Sequence, residues 1–589
     1  MNLFSELRRR NVHRMAFLYL GAAWLIMQVV DLLIDRGPFA ESIGPITLTV
    51  LAIGFPIALI ISWFYELTPE GISLDNDEEL AESTTGLTGR RVDFVIISLL
   101  AAAVLVFAYD KWWTSGPPEH FIAVLPFENM SDDPEQEYFS DGISEELLNL
   151  LAKIPELSVI SRTSAFSYKG KDIRLSEIAR ELNVAHVLEG SVRKAGNTVR
   201  ITAQLIDVRT DTHLWSESYD RELEDIFAIQ DEISGHIVRA LKVALGAGKQ
   251  EVMAHAQKPT EDLEAYEEYL RGRYLWQRRG EGNIRHAIEL FERATALDPQ
   301  FARAWSSLAA AHATLWMYSD VTMAEAYLLA VSAAHKALTL DDTLAEAYAV
   351  LGEAAYLLDR KWSEGEAYFL RAIANEPKNA TIHHWYSDLL GQVGRHREGL
   401  KECLIAYQLD PVNPPTIATL VRHYSILNDT SNVQIYGAIA WDLGRGDGLY
   451  ELIWAHVRLE EFDRAIDLAE QFDEFAKLPL SPTTLFVEAM RDAAKRPLFL
   501  KMLAEHEPTV PLSISLPGYV TFGRIDDAYR LAKLNRLGTY WMFWRPEMAP
   551  FRQDPRFENL VTELGLLDYW RENGWPDACR PEGNSLSCE

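Results

Sequence analysis

Hydrophobic and polar positions change rhythm three times along the chain. Up to about residue 110 they gather into three nearly unbroken apolar runs, at 16–34, 46–65 and 92–109. Each is close to the ~20 residues that cross ~30 Å of hydrocarbon. Two long runs in succession do not fit a secretory leader, which offers one short apolar region before a cleavage site. The pattern predicts three retained transmembrane helices within a membrane unit, 1–118. Gly54 and Pro56 fall inside the second run, where neighbouring helices tolerate a kink. Asp31 and Asp93 fall near run ends and imply no proton path.

From 119 to 248 the rhythm is mixed. FIAVLPF (121–127) reads as a buried strand, and a helix is expected from about 140 to 153 with Leu147, Leu148 and Leu151 as its apolar stripe. LSVIS (157–161) returns as strand and LSEIARELN (175–183) as a short helix. AHVLEGSVRKA (185–195) and TVRITAQLIDV (198–208) flank a Gly196-Asn197 turn and predict a hairpin. HLWSESYD (213–220) adds a strand. Ile226, Ile229, Ile233 and Ile237 mark a closing amphipathic helix over 225–241.

Beyond 260 the period becomes helical and repeats. ALDP (296–299), TLDD (339–342), NEP (375–377) and QLDP (408–411) each end a helical pattern, and Pro377 and Pro411 stand 34 residues apart. That period is the tetratricopeptide unit, two antiparallel helices with small residues at the crossing and a stop after the second. Ala287, Phe291, Ala294 and Pro299 fill the slots of the first unit, and Gly352, Gly365, Phe369, Ala372 and Pro377 those of the third. Gly399, Cys403, Ala406 and Pro411 serve the fourth, whereas MYSDVT (317–322) lengthens the connection within the second. A solenoid is expected over 260–480, followed by a divergent helical extension and cap over 481–589.

Charge narrows the functional classes. The 589 residues carry 86 acidic against 56 basic side chains, a formal net charge of −30. Phosphate binding draws on clustered Lys and Arg, so nucleic acid is not an expected partner. Arg8, Arg9, Arg10 and Arg14 outweigh Arg36, which predicts a cytoplasmic N-terminus. An odd number of spans would then put everything after Trp112 and Trp113 in the periplasm of a bacterial inner membrane. Of three cysteines, Cys403 falls in a small-residue slot of a repeat helix and reads as a modest hydrophobe. Cys579 and Cys588, nine residues apart, can close a disulfide under oxidising conditions.

AVLPFENMSDDPEQEYFSDGISEELLNLLAKIPELSVISRTSAFSYKGK, followed by VLEGSVRKAGNTVRITAQLIDVRTDTHLWSESYDR, resembles the TolB-like (FlgO/CsgG-related) domain that bacteria couple to membrane anchors and tetratricopeptide repeats. Such proteins are often labelled adenylate-cyclase-like because related architectures carry a cyclase domain. The resemblance spans about 120 residues. It implies the fold and no chemistry of its own. The tail from 540 to 579 likewise resembles the terminal segment of such proteins.

Candidate chemistry is sparse. YFSDGISEEL (138–147) crowds acids behind a strand. Ser140 or Asp141 is placed to cap the following helix, and Glu145 and Glu146 to complement its positive end. LGAGKQ (245–250) has Gln250 where a phosphate loop needs Ser or Thr. His383 and His384 adjoin on a helix and so diverge rather than share a metal. Tyr274, Trp276, Trp305, Trp316 and Tyr318 are candidates to line the groove, although aromatics at helical spacing more often pack between repeats. No nucleophile elbow, zincin, dinucleotide or kinase signature occurs. The sequence thus predicts a multidomain protein of three transmembrane helices, an α/β TolB-like domain and an all-α solenoid. It has no catalytic, cofactor or metal residues, and grips other proteins or peptides on its concave face. The alternative is a signal-transduction receptor related to adenylate-cyclase-like membrane proteins but without a cyclase domain.

Overall fold

The computed structural model describes residues 21, 23, 24, 65–68, 71–74, 118–244, 258–534, 539–583 and 585–589. The chain divides into two units, Met1–Gly116 and Pro117–Glu589. In the first, Gly21, Ala23 and Trp24 are helical. There β1 (Tyr65–Thr68) pairs antiparallel with β2 (Gly71–Leu74).

The expected transmembrane helices require correction. Among the described residues no helix is long and apolar enough to cross a membrane. Apart from Gly21, Ala23, Trp24 and Tyr65, the stretches 16–34, 46–65 and 92–109 lie outside the described residues. Tyr65, expected to end the second span, instead opens a strand whose backbone is committed to pairing, with Leu74 opposite it. The fold class becomes an α/β domain joined to an all-α array, and the multi-pass inner-membrane placement with a periplasmic C-terminal part falls with the helices that supported it.

In the second unit a six-stranded sheet has the order β5-β3-β6-β7-β8, with β4 also on β6. Its strands are β3 (Phe121–Val124), β4 (Glu128–Asn129), β5 (Ser158–Val159), β6 (His186–Ala195), β7 (Thr198–Asp207) and β8 (Thr212–Glu222). β3 runs parallel to β5 and β6, while β6, β7 and β8 form an antiparallel meander. The predicted hairpin closes at Gly196-Asn197, with Ala195 opposite Thr198 and Gly196 at φ +60. Helices α1 (Glu137–Ala152) and α4 (Ile226–Ala244) cover one sheet face. Phe139, Ile143, Leu147 and Leu151 on α1 and Ile226, Ile229, Ile233 and Ile237 on α4 are buried at helical spacing. α2 (Arg162–Phe166) and α3 (Leu175–Glu181) lie between β5 and β6 in sequence. Ile178 and Ala179 of α3 pack with Ala123, Ile160 and Val187 in a separate cluster.

Among the described residues, 16 helices from Leu263 to Leu534 pair into eight hairpins. The first helices of hairpins 1 to 5 are Leu263–Gln277, Ala302–Leu315, Ala345–Leu358, Ala380–Gln392 and Pro414–Ile426. Glycines set the crossings: a Cβ on Gly272 would lie 2.5 Å from the Phe291 ring, and one on Gly352 3.0 Å from Phe369. Side-chain caps start several helices, with Asp262, Asn379 and Asn413 each accepting from a backbone N–H. Thr322, at the end of the 317–322 insertion, forms a capping box with Glu325.

The tail does more than cover the end of the array. Arg556–Glu563 and Leu566–Asn573 are separated at Gly565, φ +72, and fold back onto the turns of hairpins 3 and 4. Trp362 Nε1 donates to Leu564 O at 2.8 Å, and Trp570 Nε1 to Val393 O at 2.9 Å. Further along the array, buried Arg545 makes a bidentate pair with Glu451 of hairpin 6 at 2.7 and 2.9 Å. Strands β9 (Cys579–Glu582) and β10 (Ser585–Cys588) pair with Cys579 opposite Cys588, their sulfurs 2.01 Å apart.

Candidate functional site

The acidic stretch 138–147 lies within α1, which starts at Glu137, ahead of the expected point near 140; Asp133 caps the preceding single turn. Ser140, Asp141, Glu145 and Glu146 are all buried, so they neither cap a free helix end nor face solvent. Instead α1 lies on the first helices of hairpins 1 and 2. A Cβ on Gly142 would lie 2.9 Å from Leu270, so the glycine marks the crossing. Glu145 takes Arg273 at 2.6 Å and Arg162 at 2.9 Å. Glu146 pairs with both terminal nitrogens of Arg303, at 2.7 and 3.0 Å. Asp141 takes Lys169 at 2.5 Å. Burial alone would raise Glu145, but Arg273 and Arg162 overcome it and hold the carboxyl below its ordinary value. Arg273 reaches on to Glu346, the second residue of its helix, at 3.0 Å.

This ion-pair row is continuous with an apolar one. Tyr266, Tyr269 and Leu270 of hairpin 1 share a core with Phe139, Ile143 and Phe227 of the α/β domain. Further along, Ser161 N donates to Leu409 O at 2.8 Å, Ser164 Oγ to Asp410 at 2.5 Å, and Lys378 Nζ to the carbonyls of Pro155 and Leu157. The domain therefore sits on the row of first helices in hairpins 1 and 2 and on the loops that end hairpins 3 and 4. The sequence flagged the acids but not their partners, since Arg273 and Arg303 are more than 120 residues away.

Beyond the domain, hairpins 3 to 5 present a second polar group. Glu353, Asp388 and Arg422 are each the ninth residue of the first helix of their hairpin, so stacking the hairpins aligns them on one face. Arg422 Nη1 donates to Asp388 Oδ1 at 3.0 Å and Thr419 Oγ1 to the same atom at 3.2 Å. His384 Nε2 lies 3.1 Å from Thr419 Oγ1 and 3.4 Å from Asp388 Oδ2. Burial would raise Asp388, but His384 and Arg422 hold it below its ordinary value. Glu353 accepts from Tyr327 Oη at 3.0 Å. Burial pushes its carboxyl up to about 8, with Asp388 adding to the rise and the Tyr327 hydrogen bond opposing it. The tail contributes Trp541, 5.0 Å from the Arg422 guanidinium, positioned because Gln392 Oε1 accepts from the backbone N–H of Tyr540 and Trp541. Together these residues present hydrogen-bond donors, acceptors and both charge signs.

The remaining sequence candidates separate. His383 is buried, with Nδ1 2.6 Å from Glu402 and Nε2 3.0 Å from Pro377 O, while its neighbour His384 belongs to the group above. His396 and His423, which sequence reading passed over, are buried with their Nδ1 atoms 3.0 Å apart, and Ser387 Oγ lies 2.8 Å from His423 Nε2. Burial lowers both, His423 to about 3. Cys403 is buried and its thiol is pushed up by burial. Trp276 is buried, Trp305 half-buried and Tyr318 exposed. Residues 245–250 lie outside the described residues. Among the described residues no three His, Cys, Asp or Glu side chains converge on a metal position.

Residues 118–235 match the family model of the HilA/YgeH-like transcriptional regulator, second domain. A stretch of 192 residues is 48% identical to "Putative adenylate cyclase 3" of Rhizobium meliloti (strain 1021), covering 33% of this chain and 32% of that protein. The chain thus spans about a third of the length of this relative. Among solved structures, Pseudomonas aeruginosa pilF is similar at 18% identity and TM-score 0.31, over 37% of this chain and 95% of that one. PilW, a type IV pilus biogenesis factor, gives 17% and 0.31 over 38% and 99%. YrrB, a TPR protein with an unusual peptide-binding site, gives 15% and 0.26 over 33% and 96%. These superpositions are partial, and the repeat assignment rests on the stacked hairpins themselves. The described residues 263–534 form a stack of helical hairpins, and part of the chain is similar to a protein that carries an adenylate cyclase label.

Proposed function

We propose that this chain is a non-enzymatic protein-interaction scaffold in which a TolB-like domain is fixed across hairpins 1 and 2 and a partner polypeptide lies along hairpins 3 to 5. The observation that carries this reading is the alignment of Glu353, Asp388 and Arg422 at one position of three successive helices. A solenoid that aligns polar side chains along its inner row offers a preordered strip to an extended or helical peptide, which lowers the entropic cost of binding. A photo-crosslinking amino acid at position 384, compared with one at the exposed outer position 328, tests it in cells. Adducts specific to 384 and lost in R422A are expected; equal adducts from both positions refute the reading.

A second reading, that the module regulates a signalling output, is supported by the match of 118–235 to a transcriptional-regulator domain and by the cyclase label of the Rhizobium relative. Both readings use the same strip, and they differ in whether the captured adduct is itself a signalling protein. A Cys579–Cys588 bond belongs to the proposal as a closure of the tail hairpin. Alkylation of both thiols only after reduction is its test.

A further inference from the structure

Two imidazoles meet inside the seam between hairpins 4 and 5. His396 opens the second helix of hairpin 4 (His396–Leu409), and His423 is the tenth residue of the first helix of hairpin 5. Both are buried, with their Nδ1 atoms 3.0 Å apart, a separation that holds one proton between them and not two. His423 Nε2 lies 2.8 Å from Ser387 Oγ, whereas His396 Nε2 is closed to solvent with no partner among the described residues. Glycines make room for the rings: a Cβ on Gly399 would lie 2.5 Å from His423 Cε1, and one on Gly391 3.4 Å from the same atom and 3.7 Å from His396 Cε1.

The surroundings keep both rings neutral. Burial is the main cause, and the charged groups mostly add to it: Arg422 on the helix of His423, His384 on the first helix of hairpin 4, and Arg552 from the tail. Asp388 and the backbone of Ser387, also on the first helix of hairpin 4, act in the other direction on His423. Cys403, on the helix that His396 opens, carries a thiol that burial pushes up and so stays uncharged. The turn just before His396 is also where the tail is held. Gln392 O accepts from Trp544 Nε1 at 3.0 Å and Val393 O from Trp570 Nε1 at 2.9 Å. Asp577 N donates to Gly394 O at 2.9 Å, and Arg397 N donates to Asp577 Oδ2 at 2.8 Å. A Cβ on Gly394 would lie 2.7 Å from Pro576 and 2.8 Å from Trp544. His396 stands between two of these contacts, so hydrating its ring moves the turn that carries the tail.

We propose that the His396–His423 pair is an acid-sensitive latch, in which proton uptake parts hairpins 4 and 5 and frees the tail segment 540–579 from the turn at 392–397. A hydrated imidazole titrates near 6.5, whereas both rings titrate below that value in the closed seam, His423 at about 3. The closed form therefore binds fewer protons than the open one. Its stability is complete above pH 6.5 and is lost as pH falls below it. A second proton on the pair would also set one Nδ1–H against another, which removes the hydrogen bond that joins the two hairpins there. The latch is local: it acts on one seam and on the tail, and leaves the α/β domain on hairpins 1 and 2 in place.

The test is hydrogen–deuterium exchange on the full chain between pH 7 and 5, corrected for the intrinsic pH dependence of exchange. Amides of 540–579 report the latch, and those of β6 and β7 serve as the reference. Over that range an opening that takes up two protons grows about 600-fold and one that takes up a single proton about 25-fold. The wild-type tail is expected to show the larger rise. H396F and H396Q, which do not titrate and differ in shape, are expected to show the smaller one, so that agreement between them separates titration from packing. Where a variant fails to fold, the wild-type rise by itself decides between two protons and one. A wild-type rise no larger than about 25-fold, equal rises in wild type and either variant, or β6 and β7 opening in step with the tail would each overturn the proposal.

Discussion

Hairpins 1 and 2 and hairpins 3 to 5 share one scaffold and use its inner row in opposite ways. In the first pair the row is occupied by the chain itself: α1 sets Glu145 and Glu146 against Arg273 and Arg303, and an apolar core runs across the contact. In hairpins 3 to 5 the same row carries Glu353, Asp388 and Arg422, with Trp541 of the tail beside Arg422. The difference teaches that a repeat fold does not make its whole inner face a binding surface. Where the acids are met by guanidiniums from distant hairpins the row is structural; at Glu353 the row instead holds a carboxyl with no cation paired to it among the described residues.

The largest expected effect breaks the occupied half. E145A leaves Arg162 and Arg273 without their shared carboxylate in a buried setting, which costs about 3 kcal/mol. Urea denaturation of the second unit's signal should show a lower midpoint. G142V, which forces side-chain volume into the crossing with Leu270, is expected to cost about 1–3 kcal/mol by the same measurement. An unchanged midpoint in both variants would mean that α1 is not held on hairpin 1.

The next effect sharpens the comparison through pH. Glu353 is raised from 4.5 to about 8, so between those values the folded chain keeps a proton that the unfolded chain releases. Its contribution is present below pH 4.5 and is lost as pH rises towards 8, with a slope of at most about 1.4 kcal/mol per pH unit. E353Q should flatten the alkaline side of a stability–pH profile. His312, lowered to about 4, and His423, lowered to about 3, act on the opposite side. They stay neutral in the fold while the unfolded chain takes up protons below pH 6.5, so stability falls as pH drops, and E353Q should leave that limb in place. The smallest stability effect is expected for R422A, about 1 kcal/mol or less, because the Asp388 pair is part-exposed. Its crosslinking yield at position 384 should nevertheless fall, which separates binding from folding.

Much of the fold could be read from the sequence because it is written locally. The Gly196-Asn197 hairpin, the isoleucine stripe of α4 and the 34-residue spacing of Pro377 and Pro411 need only neighbours in the chain. Hydropathy was local too, yet it misjudged Tyr65, which pairs as a strand residue opposite Leu74. The acidic stretch 138–147 was equally visible, but its reading as a helix cap assumed solvent beyond the helix end, and burial against hairpin 1 removes that assumption. The strip on hairpins 3 to 5 had one faint signal, residues of opposite charge recurring one repeat apart at 388 and 422.

What the sequence determined by itself is therefore the set of elements beyond residue 118: which of those stretches are helices or strands, and that the helices repeat. Such preferences arise from backbone geometry and from side chains within a turn or two. Tertiary structure alone decided which charges meet, because an ion pair such as Glu146 with Arg303 joins residues 157 apart. Only the stacking of hairpins fixes that distance, and with it which part of the row α1 occupies.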